Sequence, residues 1–245
     1  MRHTFSTMGT VASLGALDDA PIPVRDVEAV FTAYDERFSL YRNDSELSRV
    51  ASGELRLDDA STTLRDAYAT AVEWRRLTGG AFTPNRPDGV IDLNGVVKAL
   101  AIADAGTVLD RAGVTNWTLA VGGDVLTASR ALPAGVDEPE LIGIIDPDDR
   151  TALLTTVQLR GSRRAVATSG SAERGDHIWS RDGIADFVQA TVVADDILTA
   201  DVLATAIIAG GRTTLDDISD RWDVDVLTVD RAGALLATPG FRAAN

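Results

Sequence analysis

Apolar positions along the chain change period several times, and each change marks an element. The opening RHTFSTMGTVASLGAL (residues 2–17) alternates loosely and predicts an edge strand or hairpin broken at Gly9. After Pro21 and Pro23, the residues Val24, Val27, Val30, Phe31, Tyr34 and Phe38 recur at helical spacing, the pattern of an amphipathic helix. Ser61 is placed to cap a second helix carrying Leu64, Ala67, Ala71, Val72 and Leu77, stopped by Gly79-Gly80. A polar, proline-containing loop spans Thr83 to Gly89. Val90 to Leu93 then reads as a short apolar strand, leading into a helix from about Val96 to Ala112 that ends at Gly113.

Short strands follow at Trp117–Val121, Leu141–Ile145, Leu153–Leu159, Ala165–Thr168 and Phe187–Val193. A helix from about Ala200 to Ala209, ended by Gly210-Gly211, precedes a short acidic helix and a last strand at Val224–Val229. Helices first and strands later predict an α+β fold, a single compact unit of mixed helices and antiparallel sheets rather than an alternating doubly wound sheet. The acidic stretch from Pro133 to Glu140 reads as a solvated connection, and no repeat, low-complexity tract or linker divides the chain.

Composition narrows the function classes. With 45% apolar residues in 245 and no run near the ~20 residues of a membrane helix, the chain has material for a core but none for membrane insertion. No leader-like pattern opens it, so a cytoplasmic location is expected. A net charge of −14 argues against nucleic acid and anionic membrane surfaces, both of which are bound through basic patches. A phosphate-bearing small ligand stays open if a metal, a helix N-terminus or a placed cation supplies local positive charge. Cysteine is absent, which removes thiolate chemistry and sulfur metal sites. Of 23 basic residues only Lys98 is a lysine. Codon bias accounts for the lysines missing elsewhere but not for the one that stayed, and a retained lysine suggests a need for a compact ammonium.

Four stretches carry candidate chemistry. IDLNGVVKAL (Ile91 to Leu100) reads as a strand, a tight Asn-Gly turn and a helix start with a first-turn lysine, either a phosphate site or an ordinary βα turn. In TADVLATAIIAGG, Asp201 and Thr205 share a helical face. As hard oxygen ligands they suit Mg²⁺; the bland alternative is that Asp201 caps the helix and Thr205 faces the core. ATSGSAERGDHIWSRDG places His177 in a Ser-Gly loop, as a general base or as a structural histidine. VGGDV (Val121 to Val125) is a strand end whose glycines permit close backbone approach.

Taken in order with MGT (Met8 to Thr10), ERFSLYRNDSELSRV (Glu36 to Val50) and GGAFTP (Gly79 to Pro84), these stretches resemble the ApbE-type FAD:protein FMN transferases, over about Thr7 to Gly211. The resemblance implies a T-fold-like α+β domain across residues 1–245. It also implies FAD as donor substrate, Mg²⁺ on the pyrophosphate, and an acceptor protein with a threonine or serine to be flavinylated. Carried over residue by residue, Met8 and Tyr41 would contact the nucleotide, and Ala81, Phe82 and Thr83 would line the FAD pocket. Asp92 and Lys98 would hold the ribose and phosphate region. The Gly95 carbonyl, Asp201 and Thr205 would ligate the metal, and His177 with Ile178 would sit beside the scissile phosphates. In this scheme His177, Lys98 and Asp201 are the catalytic residues.

The chain departs from the family pattern in three places. Thr83 replaces the aspartate of GAFD, the segment from there to DLNG is short, and the HI-x-D-P-x-x-G loop reads HIWSRDG. Two other functions use the same residues: a Mg²⁺-dependent FAD pyrophosphatase with water as acceptor, and a non-catalytic FAD-binding protein.

Overall fold

In the computed structural model, which describes residues 2–16, 21–128, 141–170 and 186–243, the opening segment folds as the expected hairpin. Strands β1 (Arg2–Thr7) and β2 (Thr10–Ala16) pair antiparallel from Arg2↔Gly15 to Thr7↔Thr10. Their two-residue turn has positive φ at Met8 (46°) and Gly9 (73°), the type I′ signature that matches strand twist. Mixed helices and antiparallel sheets make up the described residues, as the α+β reading requires, and the chain divides into two compact units, Met1–Gly122 and Gly123–Asn245.

In the first unit, β3 (Trp117–Val121) pairs antiparallel with β2, and Ala12, Leu14, Trp117, Leu119 and Val121 are all buried at alternate positions. Helices α1 (Val24–Phe38), α2 (Glu46–Ala51), α3 (Thr62–Leu77) and α4 (Asn94–Arg111) complete the unit. The apolar stripe of α1 buries Val27, Phe31 and Phe38, and α1 packs on α4, where the Tyr34 hydroxyl donates to Asp104 Oδ2 at 2.8 Å. Ser61 caps α3 as expected, accepting from the Leu64 N–H at 3.2 Å; Val72 is more exposed than its helical spacing predicts.

Helix α2, inside the SLYRNDSEL stretch, is not evident from periodicity because it spans only six residues. Polar bonds hold it. The fully buried Ser45 caps it, accepting from Ser48 N–H at 3.0 Å and donating to the Ser39 carbonyl at 2.6 Å. Glu46 receives both the Ser61 hydroxyl, at 2.6 Å, and the Ser61 backbone N–H. The carboxylate of one helix thus fixes the cap of another, so much of this stretch has a structural task.

In the second unit, β4 (Asp124–Thr127), β7 (Ala165–Gly170), β8 (Phe187–Ala194), β9 (Asp225–Asp230) and β10 (Leu235–Ala237) form an antiparallel sheet in that order. Strands β5 (Leu141–Ile145) and β6 (Leu153–Gln158) form a separate antiparallel pair. Ile142, Ile144 and Val157 of that pair cluster with Val166, Val193 and Leu227 of the sheet and with Phe241 of α6 (Pro239–Ala243). Helix α5 (Ile197–Arg221) packs on β7 and β8. Seven of the eight β8 residues are buried. Among the described residues no helix is long and apolar enough to cross a membrane. The acidic stretch Pro133–Glu140 lies outside the described residues.

Helix α5 breaks at Gly211, whose φ of 64° and ψ of −151° are accessible only to glycine. Asp186 Oδ2 accepts the Arg212 N–H at 2.8 Å, capping the second half of the helix, and a Cβ at position 211 would collide with that same carboxylate. Gly211→Ala is therefore expected to cost about 2–4 kcal/mol, combining backbone strain with loss of the cap. In a chain of this size that lowers the thermal midpoint by roughly 5–15 °C, measurable by calorimetry.

Candidate functional site

The stretch IDLNGVVKAL folds differently from its sequence expectation. Val90–Leu93 is not a strand; only the bridge Asn85↔Ile91 forms there. The loop closes on itself instead, with Asp92 N–H on the Pro84 carbonyl at 2.8 Å and Arg86 N–H on the Val90 carbonyl at 2.9 Å. Nor is Asn94-Gly95 a turn: both residues belong to the first turn of α4, which starts at Asn94 rather than Val96. Asp92 Oδ1 accepts the Asn94 N–H at 2.9 Å, so this carboxylate serves the helix start. Lys98 consequently lies in the second turn, not the first, and is only 5% exposed, with Val96, Val97 and Ala99 buried around it. A lysine this buried is uncommon unless its ammonium is paired.

Gly95 sits against an aromatic wall. A Cβ there would lie 2.6 Å from Phe82 Cε2, and Phe82 is itself 4% exposed. The Phe82 N–H donates to Thr78 Oγ1 at 3.1 Å, and Thr83 Oγ1 accepts from Asn85 N–H at 3.2 Å. Helix α4's start and the GGAFTP stretch are thus joined by direct packing, with Ala81 and Thr83 partly exposed beside the buried ring.

On α5 the structure removes the capping role considered for Asp201. Asp196 is the N-cap: its Oδ1 accepts the Thr199 N–H at 2.8 Å and its Oδ2 the Thr199 hydroxyl at 2.7 Å. The helix starts at Ile197 rather than Ala200, which leaves Asp201 in the second turn and unable to cap. Asp201 is 3% exposed. Thr205, one turn on, is half-buried rather than core, and its Oγ1 lies 3.1 Å from Ser169 Oγ on β7. A carboxylate and a hydroxyl on one helical face are hard oxygen donors. Magnesium takes one or two such carboxylates and completes its octahedron with water and substrate oxygens, so this donor set fits it. Among the described residues no cluster of three or more His, Cys, Asp or Glu side chains forms a dedicated metal cage.

The remaining candidates are dispersed. Met8 occupies the β1–β2 turn, and Tyr41, between α1 and α2, is 81% exposed. His177 and Ile178 lie outside the described residues. Sequence reasoning overlooked Asp124 and Ser169, although VGGDV and ATSG contain them. Asp124 is fully buried at the start of β4 and its Oδ1 accepts the Thr168 N–H at 3.3 Å.

No curated protein matches the chain. Among solved structures it is similar to the ApbE protein of Thermotoga maritima (18% identity, 100% of this chain and 98% of that one, TM-score 0.77). It is similar as well to flavin transferase ApbE from Vibrio cholerae (19%, 100% and 99%, TM-score 0.75). The Pseudomonas stutzeri flavinyl transferase ApbE, in its apo form, matches at 18% identity over 100% and 97%, with a TM-score of 0.78. At these identities the likeness is one of fold. The sequence pattern supplies the family: a model of the ApbE family matches residues 85–227, more than half of the chain. That span holds IDLNGVVKAL, VGGDV, ATSG and TADVLATA, each of which contains a buried polar residue, whereas MGT, SLYRNDSEL and GGAFTP precede it. Fold over the full length and pattern over these four stretches agree, and the chain belongs to the ApbE family.

Proposed function

We propose that this protein transfers the FMN moiety of FAD to a threonine or serine hydroxyl of an acceptor protein, releasing AMP, in a Mg²⁺-dependent reaction carried by one catalytic domain over residues 1–245. Asp201 carries the reading: a carboxylate 3% exposed, in mid-helix, relieved of capping by Asp196 and one turn from the Thr205 hydroxyl. Membership of the ApbE family and the flavin transferase names of similar structures support the choice of flavin chemistry.

Asp201, Thr205 and the Gly95 carbonyl are the proposed holders of the cation. When bound, it would neutralise charge on the pyrophosphate oxygens. Lys98 contributes a second positive charge at those oxygens, in surroundings dry enough to make it effective. Ala81, Phe82 and Thr83 line the flavin nucleotide, with Met8, Tyr41 and Asp92 as further contacts. The acceptor's hydroxyl oxygen forms a bond to the flavin-side phosphorus. The bond from that phosphorus to the bridging oxygen breaks, and AMP leaves with the bridging oxygen. The hydroxyl proton passes to the His177 imidazole, with Ile178 beside it. Orienting donor and acceptor for in-line displacement supplies the entropic part.

One feature favours water as acceptor. The connection from Phe82 to Ile91 is short and closed on itself by bonds to the Pro84 and Val90 carbonyls, and a shortened loop there could admit water. Incubation with FAD and Mg²⁺, with and without an FMN-acceptor domain, tests both readings. Covalent flavin on the acceptor with one AMP released per flavin is the expected result. Free FMN and AMP at equal rate with or without acceptor would make the protein a pyrophosphatase, and FAD recovered uncleaved would leave it a binding protein.

A further inference from the structure

We infer that Ser169 is a positioning residue for the metal-binding face of α5: it accepts a hydrogen bond from the Thr205 hydroxyl and so turns the lone pairs of that oxygen toward the cation. The inference rests on the proposed Mg²⁺ reading of Asp201 and Thr205 and deepens it.

A threonine hydroxyl has one proton and two lone pairs, and a cation can be met only by the lone pairs. An unrestrained hydroxyl rotates, and part of its population points its proton at the metal. Ser169 Oγ stands 3.1 Å from Thr205 Oγ1, within hydrogen-bond reach, and can accept that proton. Ligation in turn polarises the Thr205 O–H and makes it a better donor, so the hydrogen bond and the metal bond strengthen one another.

Ser169 is well placed for this. It is 9% exposed, so little water competes for the contact. Strand alternation puts Ala165 and Ala167 on its side of β7, and both are fully buried small residues beneath α5. Ser169 is therefore the one polar side chain that β7 presents to the helix, at the level of Thr205. The backbone beside it is fixed as well: the Thr168 N–H donates to the fully buried Asp124 Oδ1 at 3.3 Å, while the Thr168 hydroxyl pairs with Thr191 Oγ1 at 2.9 Å. Replacing Ser169 by alanine would continue the Ala165–Ala167 row and leave packing nearly unchanged.

Mn²⁺ titration followed by EPR, on the full chain without FAD, reads metal affinity independently of turnover. Ser169→Ala should weaken Mn²⁺ binding by about 10–100-fold, the usual effect of removing a partner of a metal ligand. Its metal-free thermal midpoint should stay within about 2 °C of wild type. Ser169→Thr keeps the oxygen and should bind Mn²⁺ within about threefold of wild type. The inference is overturned if Ser169→Ala binds Mn²⁺ like wild type while Asp201→Ala does not, an outcome that leaves the metal reading standing. A lowered metal-free midpoint with unchanged affinity would overturn it equally, making Ser169 a packing residue. Failure of the wild-type chain to bind Mn²⁺ would remove the metal reading and this inference together.

Discussion

Asp201→Ala is expected to abolish FAD cleavage while leaving the protein folded. The two halves of this result have separate causes. Alanine is the better helix former by about half a kcal/mol, and the carboxylate it replaces is 3% exposed, so the smaller side chain meets no new steric demand. The helix start is unaffected, because Asp196 caps it. The metal-free protein should therefore stay folded, with a cooperative thermal transition. Turnover, by contrast, should fall by at least about 10³-fold, since Lewis-acid stabilisation of a phosphoryl centre supplies several kcal/mol and each 1.4 kcal/mol is tenfold. Asp201→Asn keeps the shape and loses the charge, and should lie close to Asp201→Ala in activity. Dissociation of stability from activity is the mark of a residue kept for function. Near-normal turnover by Asp201→Ala at low millimolar Mg²⁺ would take α5 out of the site.

How the sequence conveyed this residue, and where it stopped, follows from the range of the forces involved. Spacing alone places Asp201 and Thr205 on one face, because the 3.6-residue period is local. Whether Asp201 caps depends on where α5 begins, and the capping bonds of Asp196 move that start to Ile197. The Ser169–Thr205 contact joins residues 36 positions apart and has no local signal. The same division runs through the fold. Helices α1 and α3 and strands β3, β5 and β9 are legible because their apolar periods are long or their flanking turns strong. Helices α2 and α6 and strands β4 and β10 are held by partners elsewhere in the chain: Glu46 by Ser61, Phe241 by the Ile142–Leu227 cluster, β4 by β7 and β10 by β9. Val90–Leu93 misleads for the opposite reason. Its apolar run suggests a strand, yet the Asp92 N–H goes to Pro84 in its own loop, and Leu93 is buried as the residue just before α4.

Lys98→Arg is expected to lose about 10²-fold or more in FAD turnover although the charge is kept, an effect set by the geometry of the cation rather than its sign. Lys98 is 5% exposed on a helix whose neighbouring positions 96, 97 and 99 are buried, so the side chain has a fixed, narrow course. An ammonium at the end of four methylenes presents one compact charge with three rotatable donors. A guanidinium is planar and larger, and needs room for its fork. Forcing it into a packed helix face costs about 1–3 kcal/mol and displaces the charge from the phosphate oxygens. Lys98→Met separates the two contributions, because it keeps the stem and removes the charge. If position matters as argued, Arg and Met variants should be similarly slow, and the Arg variant should also unfold at lower temperature. If charge alone matters, Arg should retain most of the rate and Met should not. Wild-type turnover by Lys98→Arg would show that the single lysine among 23 basic residues reflects codon usage, and the cationic role would pass to another residue of the site.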